Sequence, residues 1–249
     1  MRVAIVIPAR YGSSRLPGKP LIQLCGKPLI QWVWERARQS RHGETVRIAT
    51  DDPRIVETVR AFGGECVMTR PDHPSGTDRI AEAVRHLDLD IVVNIQGDEP
   101  LIDPGLIDSL ADSLAQNSDW DMATAATPIR SEGDLRNPAV VKVVVDACGC
   151  ALYFSREPIP HVRDTVDPAQ ILSRGLHRRH LGVYAYRRDF LERLVATPPC
   201  ELELAEKLEQ LRALYIGGRI GVLATEHVGL GVDTPDDIPR AEAALRAQA

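Results

Sequence analysis

VAIVIPARYGSSRLPGKP, residues 3–20, passes from an apolar run into a loop that holds Arg10, Arg15 and Lys19 and no acid. The run 3–9 reads as a buried β-strand, because a short continuous apolar stretch bounded by turn residues suits a strand covered on both faces. Two glycines, two serines and two prolines make the next stretch a loop. Extended to Lys27, the loop gains a fourth cation and still contains no Asp or Glu, in a chain whose 35 acids outnumber its 30 Lys and Arg. In an open α/β sheet, ligands bind beyond the carboxyl ends of the strands, which is where this loop falls. Glycines let backbone N–H groups approach an anion closely, and Arg grips phosphate oxygens bidentately. The glycines at 12 and 18 fit neither the Walker loop nor the dinucleotide motif. A basic solvated loop is the plainer alternative, but like charges clustered together repel unless a counter-charge binds.

Working outward, the first half alternates regularly. The segment PLIQWVWERARQS (28–40) has helical spacing, TVRIATD (45–51) is a strand, and a helix begins at Pro53 and ends at Gly63–Gly64. ECVMT (65–69), TDRIAEAVRHL (77–87) and DIVVNIQGDEP (90–100) repeat strand, helix, strand. Such alternation indicates βαβ units and a parallel sheet. In the second half, MATAATPI, VVKVVVDA, ALYFSR and HLGVYAYR are strand-like with few helices between them, which calls for some antiparallel pairing. Residues 161–178 read as a polar, exposed excursion, LELAEKLEQLRALY as one amphipathic helix, IGVLAT as a strand and 235–248 as a last helix. The expectation is a single domain over 1–249, with 1–130 mainly binding nucleotide and 131–249 supplying the remaining pocket.

Composition narrows the function. A net charge of -5 argues against general nucleic-acid binding, so any anion needs a local site. No leader and no bilayer-length apolar run is visible, and five scattered cysteines suit reduced thiols in a cytoplasmic protein. Asp98 and Glu99, in QGDEP (96–100) where a strand gives way to a loop, are hard oxygen donors suited to Mg²⁺, or equally turn acids near the next helix start. In GVDTPDD (231–237), Thr234 and Pro235 read as helix cap and first turn, which leaves Asp233 over. Asp233 meets Asp98 if the last strand joins the same sheet edge.

Taken together, IPARYGSSRLPGKPL, TRPDHPSGTDR, VNIQGDEP, NPAVVKVV, ALYFSREPIP, HLGVYAYR, KLEQLR and GVDTPDD make the sequence similar to the 3-deoxy-manno-octulosonate (Kdo) cytidylyltransferase, or CMP-Kdo synthetase, family over nearly its whole length. The resemblance implies a Rossmann-like nucleotidyltransferase fold with a mixed, mostly parallel central sheet, and a homodimer. It implies a Mg²⁺-dependent reaction of CTP with Kdo that gives CMP-Kdo and pyrophosphate for lipopolysaccharide assembly. By position, Arg10, Arg15 and Lys19 match phosphate contacts, and Arg70 and Ser75 frame the cytosine and ribose. Asp98 and Asp233 match metal carboxylates. Gln96, Arg156, Arg163, His180, Tyr184, Glu209 and Gln210 match the sugar-acid side. Lys19, Arg10, Asp98 and Asp233 then form the catalytic set. Cys200-Glu201-Leu202-Glu203 departs from the family's Ser-Pro-Leu-Glu, which bears on where the following helix starts. Sialic acid cytidylyltransferases tend toward Gly-Gly-Ser-Lys-Gly and Lys-Asn in the first loop, whereas Lys19-Pro20 favours the Kdo branch. The alternatives are 8-amino-Kdo or sialic acid as the sugar, a glycosyltransferase, or a nucleotide-binding module without catalysis.

Overall fold

β1 (Val3–Ala9) is the strand expected from the opening run, and Ala4, Ile5, Val6 and Ile7 are fully buried in it. Complete burial of an aliphatic side chain contributes about 1.5–3 kcal/mol, so this strand is a principal anchor. In the computed structural model, which describes residues 1–12, 16–164 and 167–247, the chain forms two units. One comprises Met1–Asp112 with Gly229–Ala249, the other Ser113–Val228.

In the first unit a 3₁₀ turn (Lys19–Leu21) and the two-residue strands β2 (Gln23–Leu24) and β3 (Lys27–Pro28) lead to α1 (Leu29–Ala37). Then follow β4 (Val46–Thr50), α2 (Pro53–Ala61), β5 (Glu65–Met68), α3 (Gly76–Val84), β6 (Ile91–Asn94) and α4 (Pro104–Gln116). β1 pairs in parallel with β4 on one side and β6 on the other, and β4 pairs in parallel with β5. The order β6-β1-β4-β5 follows from βαβ crossovers, and it puts the carboxyl ends of β1 and β6 side by side. Asp52 caps α2 by accepting from the N–H of Arg54 at 2.9 Å, with Pro53 in the first turn.

The second unit contains β7 (Met122–Pro128), α5 (Glu132–Arg136), β8 (Lys142–Val145), β9 (Ala151–Ser155), α6 (Pro168–Ser173) and β10 (Arg178–Arg187). It continues with α7 (Arg188–Ala196), α8 (Glu201–Glu206), α9 (Gln210–Tyr215) and β11 (Ile220–Ala224). β10 runs antiparallel to β7 and β8 antiparallel to β9, while β11 runs parallel to β7. The fold is therefore mixed α/β: the strands β6, β1, β4 and β5 of the first unit pair in parallel, with a small antiparallel β2–β3 pair beside them, and the second unit mixes antiparallel and parallel pairs. β11 approaches its neighbours through a glycine: a Cβ on Gly221 would stand 1.9 Å from the ring of Trp120.

Two local expectations need correction. LELAEKLEQLRALY is not one helix, because Lys207 adopts a left-handed conformation (φ 53°) and separates α8 from α9. The excursion 161–178 carries the short helix α6.

The chain returns to the first unit at Gly229. Asp233 is delivered by an irregular segment, not by a sheet strand: Val232 is fully buried and donates its N–H to the carbonyl of Asp98 at 2.9 Å. α10 (Asp237–Ala247) follows, and Ala241 and Leu245 pack with Val232, Leu24, Leu29 and Leu101. Thr234 is not its cap, since the helix begins at Asp237, whose Oδ2 accepts from the N–H groups of Asp233 and Thr234 at 3.0 and 2.9 Å. The expected halves meet at residue 130. The compact units divide after Asp112, and Asp233 falls in the unit that holds Arg10, Lys19 and Asp98. Among the described residues, no helix is long and apolar enough to cross a membrane.

Candidate active site

The carboxyl ends of β1 and β6 open into a cavity of about 370 Å³, whose wall includes Arg10, Lys19, Gln96, Asp98 and Asp233. β1 delivers Arg10 at its last turn outward, and the guanidinium donates to the carbonyl of His73 at 2.8 Å. Arg15 lies outside the described residues. The 3₁₀ turn brings Lys19 back over the end of β6. Its Nζ donates to Asp98 Oδ2 at 2.5 Å and to Asp233 Oδ1 at 3.0 Å. Burial pulls the Lys19 ammonium toward neutrality, but Asp98 and then Asp233 outweigh it, and the net shift is above the ordinary lysine value. Lys19 is therefore a full positive charge at the pH of any cell.

The residues of the TRPDHPSGTDR stretch divide. Ser75 caps α3, its Oγ accepting from the N–H of Asp78 at 3.2 Å, and the following Gly76 lines the cavity. Arg70 is turned toward Asp72 and Glu82, each at 3.7 Å, and its side chain is 65% exposed. His73 pairs with Glu82, which fixes the carbonyl that Arg10 uses. Sequence reasoning missed Gly97, where a Cβ would meet the carbonyl of Pro8 at 3.0 Å. Only glycine allows β1 and the loop after β6 to lie so close, and the glycine of QGDEP was the available signal.

The second unit holds the rest of the expected set. Arg156 spreads its guanidinium over backbone carbonyls: Nε on Glu206 at 2.6 Å, Nη1 on Pro138 at 2.9 Å and Nη2 on Lys207 at 3.3 Å. The Glu206 carboxylate in turn accepts from Ser155 Oγ at 2.7 Å and from the N–H of Arg156 at 2.9 Å. Glu206 was not among the sequence candidates, because within a run read as helix it is indistinguishable from a solvated surface acid. Arg163 is exposed and pairs with its neighbour Asp164. His180 is buried, 3.0 Å from Thr124 Oγ1 and edge-on to Phe154, and burial lowers its pKa to about 3. Tyr184, tilted against His180, has its hydroxyl pushed well above the usual range by burial, with Tyr186 and Glu209 adding to the shift. Glu209 pairs with Arg212 at 3.2 Å, and Gln210 is buried at the start of α9.

Two features limit the chemistry. Among the described residues there is no cluster of three or more metal-type side chains, so the protein offers a cation at most the Asp98–Asp233 pair in this cavity. That pair already shares one cation, the Lys19 ammonium, which shows that the two carboxylates can converge on a single positive centre. Mg²⁺ suits such a donor set, because it commonly takes one or two carboxylates and fills its other positions with phosphate oxygens and water. All five cysteines are free thiols, and none lines the cavity.

Residues 4–220 match the family model described as Cytidylyltransferase. The 3-deoxy-manno-octulosonate cytidylyltransferase of Syntrophotalea carbinolica is 51% identical over 249 residues, covering 99% of each chain. The enzyme of the same name from Pseudomonas syringae pv. tomato is 53% identical and covers 98% of each. A solved structure of CMP:2-keto-3-deoxy-manno-octonic acid synthetase complexed with CTP superposes with a TM-score of 0.93 at 43% identity, covering both chains entirely.

Proposed function

This chain belongs to the 3-deoxy-manno-octulosonate cytidylyltransferase family, and from that premise we propose the reaction and the roles of its residues. The protein transfers CMP from CTP to Kdo and releases pyrophosphate. The observation that carries this reading onto the site is the meeting of Lys19, Asp98 and Asp233 in one cavity behind a cation-rich loop.

The anomeric hydroxyl of Kdo attacks the α-phosphorus of CTP. The new sugar–phosphate oxygen bond forms as the bond from the α-phosphorus to the bridging oxygen breaks, pyrophosphate leaves with that electron pair, and the hydroxyl proton passes to solvent. Phosphoryl transfer of this kind needs positioning and neutralisation of charge more than covalent help. Arg10, steadied by the His73 carbonyl, and Lys19, steadied by two carboxylates, present fixed positive charge to the phosphates. Arg15 joins them by family position. Asp98 and Asp233 would hold Mg²⁺, which supplies further charge neutralisation on the phosphates when bound.

Gln96 lines the cavity and is assigned to the sugar acid. By family position the same role falls to Arg156, Arg163, His180, Tyr184, Glu209 and Gln210. His180, neutral because it is buried, serves there as a hydrogen-bonding group and not as a cation. Arg70 and Ser75 are assigned to the cytosine and ribose. We further infer a homodimer in the cytoplasm. The exposed apolar side chains Leu202, Leu204 and Tyr215 support the dimer, and five free thiols support the compartment.

The test is pyrophosphate release with Mg²⁺, each of the four ribonucleoside triphosphates being paired with Kdo, an amino-Kdo and sialic acid. Release confined to CTP with Kdo is the expected result. Turnover of CTP with another sugar acid only would overturn the sugar assignment and leave the nucleotide site standing.

A further inference from the structure

The cation-rich loop is closed at its base by the Gly18 N–H donating to the Tyr11 carbonyl at 3.0 Å. Arg10 immediately precedes this closure and Lys19 immediately follows it, so the geometry of the base sets both cations at once. Two further contacts hold the base rigid. Gly18 has φ 68°, and a Cβ there would stand 3.2 Å from Cε2 of Tyr11 and 3.3 Å from its Cζ and its hydroxyl oxygen, so backbone packs directly on the hydroxyl-bearing edge of the ring. The Arg54 guanidinium carbon lies 3.3 Å from the Tyr11 ring centroid, stacked as a cation over its face.

Arg54 is itself not free to swing. It forks onto Asp52, with Nε at 2.9 Å from Oδ1 and Nη2 at 2.6 Å from Oδ2. Asp52 is the cap of α2 and is tied to the end of β4 through its N–H on Thr50 Oγ1 at 3.2 Å. A continuous chain of contacts thus runs from the central strands through Asp52 and Arg54 to the Tyr11 ring and on to Gly18. Neither Tyr11 nor Arg54 is part of the cavity wall that Arg10, Lys19 and the two carboxylates form.

We propose that Tyr11 and Arg54 are positioning residues: Arg54 pins the Tyr11 ring, the ring pins Gly18, and the base of the loop is thereby held so that Arg10 and Lys19 meet a triphosphate without rearrangement. This rests on the reading of the loop as the triphosphate cradle. The physical gain is preorganisation, since a loop already fixed in its binding geometry loses less conformational entropy when the ligand arrives. The ring, and not its hydroxyl, performs this task.

The experiment compares Arg54→Met, Tyr11→Leu and Tyr11→Phe with the parent enzyme, measuring binding of CTP and of CMP together with kcat and both KM values. For Arg54→Met and Tyr11→Leu, CTP affinity falls about tenfold, and CMP affinity and the KM for Kdo stay within about twofold. Tyr11→Phe behaves as the parent. Equal losses of CTP and CMP affinity would mean general damage to the fold and would overturn the proposal. Loss in Arg54→Met with normal Tyr11→Leu would make Arg54 a direct phosphate contact and would also overturn it. So would loss in Tyr11→Phe equal to that in Tyr11→Leu, or unchanged CTP affinity in all three. Lys19→Ala, measured alongside, separates this from failure of the loop reading: unchanged CTP affinity in Lys19→Ala removes the cradle itself, whereas weakened binding in Lys19→Ala beside normal Arg54→Met removes only the clamp.

Discussion

Val232 donates its backbone N–H to the carbonyl of Asp98 at 2.9 Å, and this one bond brings Asp233 to the end of β6. Because the bond joins main chains, substitutions of the two carboxylates leave the approach of the segments intact. Asp98→Asn and Asp233→Asn are expected to lose at least about a hundredfold in kcat, the scale seen when a single electrostatic group is removed from a preorganised site. CTP still binds measurably by calorimetry. Near-normal pyrophosphate release in both variants at saturating Mg²⁺ would remove the carboxylates from the mechanism. Chelation with EDTA is expected to stop the parent reaction, and added Mg²⁺ to restore it.

Arg156 offers a test of charge against shape. Its guanidinium spans the carbonyls of Glu206, Lys207 and Pro138, a geometry that one ammonium cannot reproduce. Arg156→Lys should therefore behave like Arg156→Met, each raising the KM for Kdo about tenfold or more while the KM for CTP changes little. Recovery of the parent KM in Arg156→Lys would show that only positive charge matters there.

His180 predicts an acid limb of stability. Buried in the native state, it takes up a proton only near pH 3, whereas in the unfolded chain it does so near the ordinary 6.5. The unfolded state thus binds more protons between these values, and native stability, complete above about pH 6.5, falls as the pH drops toward 3. The slope from this one group is about 1.4 kcal/mol per pH unit. Urea unfolding of His180→Gln at several pH values from 7 to 4 should show a shallower fall than the parent. Parallel curves would place the acid sensitivity elsewhere.

Gly221 and Trp120 form a steric pair. Gly221→Ala puts a methyl group into the indole, and overpacking of this kind destabilises by about 1–3 kcal/mol. In a Trp120→Leu background the added methyl should be tolerated better, giving a favourable coupling in a double-mutant cycle. Additive effects in thermal unfolding would mean that the strand shifts instead of the ring.

Much of the fold is legible locally. β1, β4 and β6 are written as apolar runs, and the start of α2 as Asp52–Pro53, because strand burial and helix capping depend on neighbouring residues. α4 is legible after the fact, with Pro104 in its first turn, but it is absent from the sequence reading. That reading also joins α8 to α9. What separates them is Lys207, whose carbonyl and that of Glu206 are held by Arg156, just beyond the end of β9, a tertiary partner that local periodicity does not reveal. The start of α10 moves because the Asp237 carboxylate folds back onto the N–H groups of Asp233 and Thr234, which leaves Pro235 in the preceding turn. At the site, the cations and carboxylates are recognisable by residue type. Their convergence is not, because it depends on the Val232 bond and on the apolar packing of α10.

Lys19 and Asp233 are 214 positions apart, and the whole of the second unit is spelled out between the two pieces of the first. On a ribosome, the cation-rich loop, both strands that flank β1, and Asp98 therefore emerge long before Asp233. A nascent chain can fold its parallel strands, but Lys19 has a single acid for company until residues 113–228 have been made and the following segment has threaded back. On the roles proposed for these residues, synthesis that stalls anywhere in the inserted stretch leaves Lys19 and Asp98 without Asp233, and such a chain is expected to release no pyrophosphate from CTP.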